Sequence, residues 1–308
     1  MIIVRTPLRI SLAGGGCDLP VWYKTHGAMF IAAAIDKYIY TTFHHSAYDE
    51  KIRIRYSKME EVDNVDEIQN EIVRETLKFC GIKDSVEITS HAEIPSGTGL
   101  GSSGSFGVGI LQSIETSFTK DILTKFSTQI QMEKLKWPIG WQDQLVATYG
   151  GLRIYEIKND DFELNNFKGA VGWNLETKLV MFYTGIKREA NKVLKQSTTE
   201  GLDKIQELAW QTKKAFEKGN LDEYGEILKE HWEYKKKRGG MTNPQIDEWY
   251  ELGLKNGALG GKLIGAGGGG FLLFYTNDRE KLINSMSLLY QPFKFDYEGS
   301  KVIYNDKN

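Results

Sequence analysis

Cysteine is nearly absent from this chain of 308 residues: Cys17 and Cys80 are the only two, too few for a disulfide framework and at a spacing that matches no metal motif. A reducing compartment is expected. Net charge is nearly absent too, at −2 with a pI near 6.3, so no overall field gathers nucleic acid or anionic lipid, and neither is an expected partner. Any basic residues that matter must be local. The sequence has no apolar run of the roughly 18 residues that a membrane span needs, and its start, MIIVRTPLRISLAGGG, has no basic segment ahead of a long apolar one. The expected protein is cytoplasmic. Internal repeats are missing, and the one low-complexity tract is the run Gly267 to Gly270. With 41% hydrophobic and 26% charged residues, what remains is an ordinary folded protein, long enough for two domains.

Glycine is the one excess. There are 32, and they gather at Gly14 to Gly16, Gly97 to Gly109 and Gly265 to Gly270, where the backbone needs positive φ or a ligand comes close. Around these clusters the apolar pattern predicts a sheet-rich start: a strand pair broken near Pro7, further strands over AMFIAAAIDKYIYTTFHHS, and a strictly alternating KIRIRYS. A helix is predicted from Met59 to Cys80, a strand over VEITSHAEI, and a helix after the glycine-serine loop. GLRIYEI reads as a strand, and the polar KNDDFELNNFKG as a linker, which places a domain boundary near residue 165. Beyond it come the strand KLVMFYTG, helices over Lys187–Glu217 with a break near Glu200–Gly201, Asp222–Arg238 and Pro244–Asn256, and a βαβ-like tail ending in SKVIY.

The loop Pro95-Ser-Gly-Thr-Gly-Leu-Gly-Ser-Ser-Gly-Ser105 lies between a predicted strand and a predicted helix, which points free N–H groups and the positive end of a helix dipole at one place. A polyphosphate suits such a place, and so does a plain serine-capped helix start. Gly99 to Gly104 and Gly265 to Gly270 both spell the dinucleotide fingerprint, but each in the wrong context: Asp121 is not at the end of an apolar strand, and FLLFY follows its glycines instead of preceding them. Lys262 follows Gly261 without the Ser or Thr of a Walker loop, and the signatures of protein kinases are missing.

PxxxGLGSS at residues 95–103 resembles the ATP-binding motif of the GHMP kinases, RTPLRISLAGGGCDLP resembles their N-terminal motif and KLIGAGGGGF their C-terminal one. The three stand in the family's order and span nearly the whole chain. The resemblance implies an α+β fold of two domains, a ribosomal-protein-S5-like N-terminal domain over residues 1–165 and a ferredoxin-like C-terminal domain over 166–308, with the active site between them. Within the superfamily, the triple glycine before Asp18, the GWQDQ segment and GAGGGGF are most similar to the branch that phosphorylates heptose 7-phosphate, with the fucose kinase domains next. Its implied partners are ATP, Mg2+ and a small sugar phosphate.

Carried over residue by residue, the resemblance makes Asp143 the acceptor of the hydroxyl proton and Arg9 the cation facing the γ-phosphate, as phosphoryl transfer asks mainly for positioning and charge. Pro95, Gly97, Gly99, Leu100, Gly101, Ser102, Ser103 and Gly104 would hold ATP; Gly15, Gly16, Asp18, Gly267 and Gly268 would hold the sugar. Without the family, Asp143 reads as a helix cap, Arg9 as an exposed strand charge and Asp18 as a cap for the helix begun by LPVWYK. Ser103 matches the metal's hydroxyl ligand, but Gln131 stands where a glutamate is expected, leaving Glu133 as the nearest carboxylate. Lys187, Arg188 and Lys235 to Arg238 offer cations for an acceptor phosphate or are solvated helix ends. A free sugar as acceptor, or a silent sugar and ATP sensor, are the competing expectations.

Overall fold

In the computed structural model the described residues are 1–47, 49–167, 171–188, 193–195 and 197–306. Two sheets carry the fold. The larger is built on β1 (Ile2–Ala13), which runs antiparallel to β2 (Ala28–His45). Pro7 has no N–H to give, yet β1 does not break there as expected; the register to β2 shifts between Pro7 and Leu8 and the strand continues. β2 is likewise one strand of 18 residues. Its length lets two partners share one edge. Its second half pairs with β5 (Val86–Ala92), which pairs in turn with β3 (Ile52–Arg55) and, through it, β4 (Met59–Val62). Its first half pairs with β6 (Leu152–Lys158).

Three expectations are corrected. Of the helix expected over Met59–Cys80, the first part is strand β4, held to β3 by a cross-strand pair of Arg53 Nε and Glu61 Oε2 at 2.9 Å. Only α2 (Glu71–Phe79) is α-helical, started by the Asn70 side chain, which accepts from Val73 N at 3.2 Å. The expected linker turns at Asn159–Asp160, both at positive φ, and returns as β7 (Asp161–Asn166), a hairpin with β6; Lys168 and Gly169 of that stretch lie outside the described residues. The tail does not end as a βαβ unit, since its last strand, β12 (Lys301–Asn305), crosses back to pair with β1.

The smaller sheet is antiparallel, in the order β11 (Leu289–Tyr290), β8 (Leu179–Tyr183), β10 (Phe271–Thr276), β9 (Ala258–Leu263). Within the helix expected over 187–217, residues 189–192 and 196 lie outside the described residues; α7 (Leu202–Lys218) begins at Gly201. It is followed by α8 (Leu221–Lys237) and α9 (Pro244–Lys255). α8 lies very close to β9, because Gly260 has no Cβ: one placed there would stand 2.0 Å from the Gly225 carbonyl. A single apolar cluster joins Leu8, Ile10 and Leu12 of β1 to Met181, Leu273, Tyr224 and Leu228, so both sheets share a core and fix the walls of the cleft between them.

Candidate active site

The glycine-serine loop does what its sequence context suggests. It runs from β5 into α3 (Ser102–Ile114), whose N-cap is Gly101 at φ 77°, a left-handed conformation that leaves the first N–H groups of the helix uncapped by any side chain and facing the cleft. Main-chain bonds hold the loop. Arg9 N donates to Leu100 O at 3.0 Å, tying it to β1, and Arg188 N donates to Gly97 O at 3.1 Å, tying it to the smaller-sheet side.

Arg9 and Asp143 meet as expected. Arg9 Nε donates to Asp143 Oδ1 at 2.8 Å, a terminal nitrogen of the same guanidinium forms an ion pair with that oxygen at 2.7 Å, and Arg9 Nη1 donates to Gly99 O at 2.6 Å. The arginine side chain is 7% exposed and the aspartate 28%, so the cation lies beneath and the carboxylate reaches into the cleft. Asp143 Oδ2 has no protein partner among the described residues. Neither structural alternative holds: Asp143 is the second residue of α5 (Gln142–Tyr149), whose N-cap is Trp141, and Arg9 is buried. Gly104 lies directly under Asp143, where a Cβ would come within 2.4 Å of the aspartate's own.

Asp18 is buried, its Oδ1 accepting from Gly16 N at 3.2 Å and its Oδ2 from Gln142 N at 3.0 Å. It therefore does not cap the helix begun by LPVWYK, α1 (Pro20–His26), whose N-cap is Leu19; it caps α5 from a distance. Burial raises the Asp18 carboxyl above its usual range, and the N–H bonds from Gln142 and Gly16 oppose that only in part.

Pro95, Gly97, Gly99, Gly101, Ser102, Ser103, Gly15, Gly16 and Asp18 all line a cleft of about 1310 Å³, larger than the roughly 300–1,000 Å³ of a one-ligand site. Other expected contacts lie behind it. Leu100 is a core residue with its carbonyl on Arg9, and Gly104 seats Asp143. Gly267 and Gly268, expected at the sugar, are not among the residues that line the cleft: Gly267 O accepts from Arg188 Nε at 2.6 Å and Gly268 N donates to Met241 O at 2.9 Å. Their loop matters by close approach, as Cβ atoms at Gly265 and Gly270 would come within 2.5 and 1.9 Å of the Gly99 and Thr98 carbonyls. Gly265 and Ala266 are its cleft residues.

Glu133, expected as a metal ligand, lies away from the cleft. That residue sits on a single π-helical turn (Ile130–Lys134), exposed, with its carboxylate accepting from the Gln129 amide at 3.0 Å, and it does not line the cleft. Gln131 is buried, its amide donating to Ser103 O at 3.3 Å and its oxygen accepting from Gln144 at 3.1 Å. Among the described cleft residues the carboxylates are Asp18 and Asp143, and the described residues hold no group of three or more metal-ligating side chains. Such a donor set fits a magnesium ion that enters on a nucleotide, with Ser103 as a protein ligand and phosphate oxygens and water as the rest.

Of the cleft's lysines and arginines, sequence reasoning missed Lys262. Arg9, Lys187, Arg188, Lys235, Arg238 and Lys262 all line the cleft, against two carboxylates. Lys262 Nζ donates to Leu12 O at 2.9 Å and lies 3.4 Å from His231 Nδ1; burial, with Arg9 adding to it, pushes its pKa down to about 7. Burial and the neighbouring cations also lower Lys235 and His231 well below their ordinary values. Arg188 is pushed down to about 10 by burial and by Arg9. A findable signal existed for Lys262, a lone charge inside the otherwise apolar strand ALGGKL. Ser11 Oγ and Gln142 Nε2 were missed too; both are buried without a partner beside Gly15 and Asp18, as groups awaiting hydroxyls would be.

Known proteins match this arrangement. Residues 67–151 match the family described as GHMP kinases N terminal domain, and residues 212–291 the family GHMP kinases C terminal, together more than half of the chain. A relative from Campylobacter jejuni, D-glycero-alpha-D-manno-heptose 7-phosphate kinase, is 28% identical over 97% of this chain and 98% of its own. A solved structure of a putative sugar kinase from the same organism aligns with a TM-score of 0.77 at 28% identity, covering 98% of this chain and 97% of that one. A D-glycero-D-manno-heptose 1-phosphate kinase from Bacteroides thetaiotaomicron aligns with a TM-score of 0.80 at 24% identity, covering 99% and 100%, and shows the same fold.

Proposed function

From a chain that belongs to the GHMP kinases and is a sugar kinase by its relatives, we propose an enzyme that moves the γ-phosphoryl group of ATP to the C1 hydroxyl of D-glycero-D-manno-heptose 7-phosphate, giving the 1,7-bisphosphate. The observation that carries it is the Arg9–Asp143 pair, assembled in the cleft at the N-terminus of α3. ATP would lie with its phosphates on the loop Pro95 to Ser103 and the N–H groups at the start of α3, and Ser103 would help hold its magnesium, which would supply neutralisation of the phosphate charge. Asp143 Oδ2, without a protein partner among the described residues, takes the hydroxyl proton as the sugar oxygen forms its bond to the γ-phosphorus; the bond to ADP breaks and ADP leaves. Arg9 fixes the other carboxylate oxygen and faces the charge that develops on the transferred group. Asp18, Ser11 and Gln142 orient the sugar hydroxyls.

Two relatives' names differ in where a phosphate stands, at C7 of a substrate or at C1. The reading adopted here reconciles them only if the acceptor carries one and gains the other. Support for the 7-phosphate acceptor is the end-to-end match to the Campylobacter relative. An ADP-release screen with ATP across heptose 7-phosphate, free heptose, fucose and galactose tests it: turnover is expected to be highest with heptose 7-phosphate, and preference for a free sugar overturns the acceptor while leaving the chemistry.

A further inference from the structure

A series of contacts orders the cleft. The nucleotide loop at Gly99 to Gly101 touches Arg9, Arg9 holds Asp143, the adjacent Gln142 N binds Asp18, Asp18 binds Gly16, and Gly16 lies against Arg238. The reacting centre is in the middle and Arg238 is at the end away from the nucleotide. Gly16 is the key to that end: at φ 98°, with a Cβ that would fall 2.2 Å from Arg238 Nη1, it leaves the space into which the guanidinium reaches. The space beside Gly16, a residue expected to hold the sugar, is occupied by a cation.

Arg238 is not alone. His231 and Lys235 precede it by seven and three residues on α8, so all three share one helical stripe, and the close fit of Gly225 on Gly260 sets that stripe beside Lys262 of β9. Their hydrogen bonds to protein go to main-chain carbonyls or to each other. Lys235 Nζ donates to Leu263 O at 2.7 Å and Gly265 O at 2.6 Å, and Arg238 Nε to Thr198 O at 3.0 Å. The terminal nitrogens of Arg238 have no protein partner among the described residues, and His231, 3% exposed, leaves Nε2 without one. Among the described cleft residues the carboxylate beside them is Asp18, itself occupied by two N–H groups. Buried cations so weakly compensated are costly unless an anion arrives.

We propose that Arg238, Lys235, Lys262 and His231 form a subsite for a phosphomonoester borne by the acceptor at its far end from the reacting hydroxyl. This rests on the sugar-kinase reading and deepens it, since it makes the acceptor a sugar phosphate and explains how a free sugar is refused. A dianion there accepts from the guanidinium, the two ammonium groups and His231 Nε2–H, and the ring between the two ends spans the distance to Asp143.

The test compares D-glycero-D-manno-heptose 7-phosphate with the same heptose lacking phosphate, in the wild type, Arg238→Met and Lys262→Met, with thermal melts on each. The expected result is a loss of about 10- to 100-fold in kcat/KM for the phosphorylated sugar, carried by KM. Free heptose and the ATP KM should stay within about twofold. Lys262→Met should melt no lower than the wild type at pH 6, since it removes a buried charge; a lysine kept for structure would cost stability instead. Equal losses on both sugars, or a rise in the ATP KM in place of the acceptor's, overturn the subsite. If the wild type turns over neither heptose, the function reading fails by itself. Calorimetric titration with inorganic phosphate still decides the subsite: saturable binding that Arg238→Met abolishes supports it, and binding that survives the change refutes it.

Discussion

The two ends of the cleft, the proposed nucleotide end and the proposed acceptor end, offer an anion different kinds of partner. At the nucleotide end the groups are main-chain N–H donors and small hydroxyls from one continuous segment, Pro95 to Ser105, set by Gly101 in a left-handed conformation. At the acceptor end they are buried side chains from two separate elements, α8 and β9, with Lys262 of β9 tied in turn to the Leu12 carbonyl of β1. A main-chain site costs no buried formal charge and leaves a compact signature in the sequence. A side-chain site is assembled by packing and depresses the pKa values of its own lysines, a cost that an arriving anion offsets.

Substitutions can break this contrast at graded strength. The largest effect is expected from Asp143→Asn, which keeps the size and the bond to Arg9 but cannot take a proton: kcat should fall by about 10² to 10⁴-fold, toward the lower figure because an anomeric hydroxyl is comparatively acidic, with ATP binding in calorimetry nearly unchanged. Gly101→Val comes next, as a Cβ there would meet Arg9 Cγ at 3.0 Å and the residue would keep φ 77° only under strain; ATP affinity should fall by more than for Ser103→Ala, which removes one hydroxyl. Nucleotide affinity unchanged in both would move the phosphates off this loop.

Asp18→Asn probes the other end and should raise the acceptor KM much more than the ATP KM. It also carries a pH signature. Burial raises the Asp18 pKa, so the folded chain keeps that proton to a higher pH than the unfolded chain does. Wild-type stability relative to Asp18→Asn should therefore fall as pH rises above about 4, the unfolded carboxyl value; a difference in melting temperature that does not move with pH would contradict the assignment. The smallest effect is expected for Glu133→Gln. Exposed and away from the cleft, it should leave kcat and the magnesium dependence of the rate within error.

What the sequence made legible follows the same division. The three glycine motifs, Arg9, Asp143 and Asp18 could be found because each lies in a short local pattern. Lys235 and Arg238 were candidates from the basic run that ends α8, but Lys262 and His231 belong to no such pattern: their positions depend on how closely α8 packs on β9, a tertiary fact set by Gly225 and Gly260. In the fold, helices with a clear 3.6-residue stripe, such as α8 and α9, stand within a residue or so of where periodicity places them. Misread segments were those where local pattern competed with pairing. Met59–Val62 has helical apolar spacing downstream but finds a strand partner in Ile52–Arg55, and the polar β7 is a strand because Asn159–Asp160 accept the turn that a hairpin needs.

The central claim is the position to which phosphate is transferred. Incubation of the enzyme with ATP, magnesium and D-glycero-D-manno-heptose 7-phosphate, followed by proton-coupled phosphorus NMR, reads it directly. The predicted product shows the original 7-phosphate resonance and a second phosphate coupled to the anomeric proton. A new phosphate coupled to any other carbon-bound proton, or ADP release without a new sugar phosphate, would contradict the account.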